Sequence, residues 1–111
     1  MKLYKILRDG RSCHGGTMAW SLPTSSGPGD WHDVSGTLRV CVRGLHLTHF
    51  PETWWSPGCQ VFEAEADGVV VGADNGTKVV ASRVRLVRRA SWVDYVSARG
   101  IRALRGPGIH P

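Results

Sequence analysis

Glu63 and Glu65 are two carboxylates one residue apart in the stretch Gln60 to Ala66. In an extended chain, side chains at i and i+2 share a face roughly 7 Å apart. Such a pair could divide general acid–base or electrostatic work, because a carboxylate stabilises the positive charge of an oxocarbenium-like transition state. The pair equally suits the solvated face of an edge strand, or a salt-bridge ladder if Arg83 and Arg85 stand on the neighbouring strand. A second group is Cys13, His14, Cys41, His46, His49 and Cys59. It contains no Cys-x-x-Cys pair and no zinc-finger spacing, so no metal site is expected. Cys13 or Cys41 with His46 would make a thiol–imidazole pair only with a lowered thiol pKa and an orienting third group; a buried, inert thiol is the plain alternative. Trp20, Trp31, Trp54, Trp55 and Trp92 are a third group. Aromatic faces beside loops stack on bases or nicotinamide, although burial is their commonest use. The run His14-Gly15-Gly16-Thr17 could turn backbone N–H groups toward an anion, but it matches neither a Walker loop nor a dinucleotide fingerprint.

The elements that must position these residues are mostly strands. Lys2 to Leu7 alternates, with Leu3, Lys5 and Leu7 on one face and Tyr4 and Ile6 on the other. Asp9-Gly10 marks a turn, and Leu22 to Asp30 is a loop by its Pro and Gly content. Thr37 to Val42 alternates Leu38, Val40 and Val42 against Arg39 and Cys41, and extended structure resumes from Leu45 to Thr48 after Gly44. Pro51 opens a short helical turn to Trp55. Gln60 to Ala66 reads as a strand, Val69 to Val71 as a separate short apolar one, and Asp74-Asn75-Gly76 as a hairpin turn. Lys78 to Arg88 is the longest strand, with Val80, Ser82, Val84 and Leu86 opposing Val79, Ala81, Arg83 and Arg85. Ser91 and Asp94 make a capping-box-like start to one helix, which carries a ragged apolar stripe to Arg105 before Gly106-Pro107-Gly108. The expectation is an α+β fold: a single β-dominated domain over 1–106, of five or six mostly antiparallel strands with one C-terminal helix, and a flexible tail at 107–111.

The chain has 111 residues and a net charge of +5. Residues 1–77 carry six basic and eight acidic groups, whereas residues 78–111 carry eight basic groups and one acid. Eleven of the fourteen cations are Arg, whose planar fork suits phosphate in a bidentate manner. Arg83, Arg85, Arg88, Arg89, Arg99, Arg102 and Arg105 thus form a candidate nucleic-acid or acidic-partner surface, against the ordinary alternative of solvated surface charge. No apolar run approaches the roughly 20 residues of a helical membrane span. The segment from Met1 to Arg11 is charged rather than apolar, so a cytoplasmic protein with reduced thiols and no membrane association is expected.

Several stretches together resemble a family of small uncharacterised domains of bacteriophages and bacteria. They are Tyr4-Lys5, Cys13 with Gly15, Cys41-x-x-Gly44-Leu45-His46, Pro51 with Trp54 and Trp55, Val61 to Glu65, Lys78 to Val80, and Val84 to Arg88, over about residues 3–89. More distantly, Leu3-Tyr4-Lys5, Gly44 to Thr48 and Phe62 to Glu65 are similar to pieces of ADP-ribosyltransferase-like domains. Lys5 stands where that pattern has the Arg or His that holds the cofactor, and His46 where it has an aromatic. Thr77-Lys78 carries no Glu immediately before the last strand. The resemblance implies an enzyme-like domain with a cleft for NAD or another nucleotide, a relative of such transferases. Lys5, His14 and Thr48 would hold the ligand, Trp54 or Trp55 would stack on it, and Glu63, Glu65 and His46 would serve catalysis. The alternative is a non-enzymatic module that binds nucleic acid or a protein partner through its Arg-rich C-terminal third.

Overall fold

Alternation along the first strand already divides the protein into two apolar layers. In the computed structural model, which describes residues 2–12, 18–39, 43–73 and 77–90, β1 spans Leu3–Arg8. Leu7 enters the main core and Leu3 packs against it, while Ile6 and Tyr4 turn to a smaller cluster on the other face with Cys59, Val61, Trp54 and Ala90. Asp9 and Gly10 both take positive φ, 51° and 77°, which is the two-residue turn that matches strand twist. They return the chain as β2 (Arg11–Ser12). β3 (His32–Asp33) and β4 (Leu45–Leu47) are short. A 3-10 turn at Pro51–Thr53 follows, with Pro in its first position. β5 (Gln60–Ala73) and β6 (Lys78–Arg89) form the long hairpin at the centre.

All described pairings are antiparallel, in the order β2-β1-β5-β6-β3, with β4 also on β6. β3 pairs with β6 at Val84 and Arg83, and β4 pairs with it at Ala81, Val80 and Val79. The sheet then curls into a half-barrel whose seam is bridged at one level. Tyr4 N–H donates to the Thr48 carbonyl at 2.8 Å and Thr48 N–H to the Tyr4 carbonyl at 3.0 Å. Hydrogen bonding therefore runs from β1 to β5 to β6 to β4 and back to β1. The concave face holds the core: Leu7, Trp20, Leu45, Leu47, Phe62, Val79, Ala81, Val84 and Leu86, all buried. Fully burying one such aliphatic side chain contributes about 1.5–3 kcal/mol.

The structure corrects the expected class. Among the described residues the fold is all β apart from the three-residue 3-10 turn, so the α+β assignment does not hold for them. The expected helix from Ser91 to Arg105 and the tail at 107–111 lie outside the described residues. Thr37 to Val42 is not a strand over its described part: Arg39 and Arg43 bond each other as an isolated bridge, and residues 40–42 lie outside it. β3 and β4 pair along β6, so that edge offers no place for a strand there. The two strands expected at Gln60–Ala66 and Val69–Val71 are one. Asp67 and Gly68 form a bulge inside β5, where Gly68 has φ 75° and its N–H donates to Asp67 Oδ1 at 2.8 Å. At the same level the alternation of β6 changes phase, so Val79 and Ala81 join Val84 and Leu86 in the core, contrary to the regular pattern.

Candidate functional site

Where β1 and β4 part on either side of the Tyr4–Thr48 bridge, a cleft of about 490 Å³ opens along the seam. Tyr4, Lys5 and Ile6 line it from β1, and Gly44, Leu45, His46, Leu47 and Thr48 from the β4 segment. Trp20, Trp54, Thr77 and Lys78 complete much of the wall. The size is ordinary for a small-molecule site.

Backbone groups position Lys5, His46, Thr48 and Trp54 in it. Lys5 is 8% exposed; its Nζ donates to the His46 carbonyl at 2.9 Å and sits 5.2 Å from the centre of the Trp20 ring. His46 projects from the middle of β4, and its Nδ1 lies 3.1 Å from the Gly44 carbonyl. A carbonyl only accepts, so Nδ1 carries a proton in that contact. Burial holds the His46 pKa below its ordinary value. The Lys5 charge adds to this, the Gly44 hydrogen bond opposes it, and Lys78 lowers it further. Thr48 is buried, and its Oγ1 accepts from Phe50 N–H at 2.9 Å, which fixes the chain as it leaves β4 for the 3-10 turn. That turn carries Trp54, whose indole N–H donates to the Thr77 carbonyl at 2.8 Å.

Gly44 shapes the floor. Its φ is 131°, and a Cβ there would collide with the Val80 side chain and come within 3.1 Å of Leu38. Only glycine accepts both that conformation and that approach.

The structure thus gathers Lys5, His46, Thr48 and Trp54 at one cleft, with Trp20, one of the five aromatic candidates, and with Tyr4 and Lys78, which the sequence did not single out as ligand contacts. Trp55 is not part of the lining; its indole N–H donates to the Cys59 carbonyl at 3.0 Å. His14 lies outside the described residues, as do Cys13 and Cys41. Among the described residues no three His, Cys, Asp or Glu side chains come together.

Glu63 and Glu65 do not line the cleft. They belong to a ladder across β5 and β6. Glu63 accepts from Lys2 Nζ at 2.5 Å and from Arg88 Nε. Glu65 Oε2 accepts from Arg85 Nε and Nη2 at 3.2 and 3.0 Å. Arg83 reaches Asp33 at 3.2 Å and Asp67 at 3.6 Å. The Arg88 hydrogen bond, reinforced by Lys2 and opposed by burial, holds the Glu63 pKa below its ordinary value. The guanidinium carbons of Arg83 and Arg85 stand 4.5 and 4.8 Å from the centre of the Trp31 ring, within cation–π range. Arg89 is exposed at the end of β6; Arg99, Arg102 and Arg105 lie outside the described residues. A Trp so far from Arg83 in the chain gave no sequence signal of this stacking; it follows from the β3–β6 register.

Compared with family models, curated proteins and solved structures, the chain finds no match. The resemblances to the small phage and bacterial domains and to ADP-ribosyltransferase-like domains therefore rest on their motifs alone. Among the described residues no helix is long and apolar enough to cross a membrane.

Proposed function

We propose that the seam cleft binds a small anionic ligand with a flat ring, of which a nucleotide or NAD is the class that best fits. The observation that carries this is the character of the lining. Lys5 and Lys78 are its cationic groups, His46 a neutral imidazole that can hydrogen-bond, Trp20 and Trp54 its large aromatic ones, and no described lining residue is an Asp or Glu. An anion then meets favourable charge in a partly desolvated site, where electrostatic interaction is strengthened, and a ring meets indole surface. Glu63 and Glu65 are engaged with cations in the ladder, so the proposal assigns binding to this cleft and no group-transfer step to those acids.

Recognition of nucleic acid through Arg83, Arg85 and Arg88 draws less support. Lys2, Arg83, Arg85 and Arg88 are met by Asp33, Glu63, Glu65 and Asp67 in the ion pairs of the ladder, which leaves little local excess of positive charge to release counterions.

Thermal denaturation and calorimetry with NAD, AMP and GTP test the proposal. A ligand at a hundred times its dissociation constant stabilises the folded state by about 2.7 kcal/mol, which for a chain of this size raises Tm by about 10 °C or more. His46→Ala and Lys78→Ala are expected to weaken binding several-fold, and Glu65→Gln to leave it unchanged. Unchanged melting at millimolar concentrations of all three ligands would sink the proposal.

A further inference from the structure

The central hairpin outruns its neighbour. β1 covers β5 only from Gln60 to Ala64, and among the described residues no strand lies on that edge from Glu65 to Ala73. An open edge presents backbone N–H and C=O groups to any strand that approaches, and soluble proteins usually guard it with Lys, Pro or short length. Here the run is Gly68-Val69-Val70-Val71-Gly72-Ala73, with neither a charge nor a proline. The three valines are 60%, 48% and 40% exposed. Successive residues point to opposite sides, so β5 exposes side chains on both faces here, although its partners Val79, Val80 and Ala81 on β6 are buried.

The run complements itself. Antiparallel pairing of two copies centred on Val70 sets Val70 against Val70 and Val69 against Val71. No like charges oppose, and β-branched side chains meet on both faces. Asp67 is already engaged by Arg83, and the bulge at Gly68 ends the regular edge on that side. A foreign strand would need only backbone, whereas this symmetry is specific to another copy of the same segment.

We propose that the open edge of β5 pairs with the same edge of a second copy of this chain, about a two-fold axis at Val70, and joins two half-barrels into one continuous sheet. Each copy carries a net charge of +5, and the edge itself is uncharged. Association therefore strengthens with added salt, the opposite of an interface held by ion pairs.

Sedimentation equilibrium of the full chain from tens of micromolar to millimolar is expected to show a reversible doubling of mass that grows with concentration and salt. Val70→Lys places two ammonium groups side by side at the axis, and is expected to hold the protein monomeric with an unchanged far-ultraviolet circular dichroism spectrum. Mild oxidation of Val70→Cys is expected to give a reducible covalent dimer, whereas Leu22→Cys, another exposed position, gives none. A wild-type protein that stays monomeric at millimolar concentration overturns the proposal. So does a dimer that Val70→Lys leaves intact, or a folded Val70→Cys variant that crosslinks no better than Leu22→Cys.

Discussion

The fold displaces the ionisation of both His46 and Glu63, and the displacement has opposite origins. Burial beside Lys5 favours neutral His46. Its folded pKa lies below its unfolded one, so the unfolded chain takes up a proton first as the pH falls. The stability that neutral His46 contributes is complete above about pH 6.5 and is lost below it, as pH descends toward the depressed folded value. Melting temperature is therefore expected to fall as pH drops below that point, and His46→Gln is expected to flatten this part of the profile. Glu63 loses its contribution only at more acidic pH, below the ordinary carboxylate range, because Arg88 and Lys2 stabilise its charged form. Glu63→Gln should cost roughly 1 kcal/mol near neutral pH, since the ion pairs are partly exposed and screened. The residue types were legible in the sequence, but their environments were not. Glu63 and Glu65 suited catalysis and a salt-bridge ladder equally well until the β5–β6 register set them beside Arg88 and Arg85.

At the scale of elements, hydrophobic alternation identified β1, the start of β5 and most of β6, because a period of two is the direct imprint of a half-buried strand. It misplaced the described part of its next strand, Thr37 to Arg39, because alternation says which side chains share a face, not whether a neighbouring edge is open. It divided β5 at Asp67-Gly68, where positive φ and a local side-chain hydrogen bond make a bulge rather than a turn. Pro51 announced the 3-10 turn. Gly44 read as a break, and its structural demand is stronger than that. Gly44→Ala is expected to destabilise the protein by about 1–3 kcal/mol, from strained φ and overpacking against Val80. Urea denaturation should show a lower midpoint with an unchanged slope.

At the scale of the whole molecule, no local pattern foretold that Thr48 would meet Tyr4, and the seam cleft exists only because it does. The ring from β1 through β5, β6 and β4 predicts a single cooperative unit. Backbone amides of Tyr4 and Thr48, each donating across the seam, should exchange with solvent only through global opening, while the one of the adjacent Val70 and Val71 amides that points to the open edge exchanges faster in the monomer. Hydrogen exchange followed by nuclear magnetic resonance checks both; rapid exchange at Tyr4 and Thr48 would show that the seam opens by itself. The same arrangement bears on how the chain is made. β1 leaves the ribosome before the other described strands of this sheet, yet its principal neighbour, β5, is translated more than fifty residues later. Contacts so distant in the chain are associated with slow folding, so the apolar side chains that β1 turns toward β5 stay unsheltered until β5 has been synthesised.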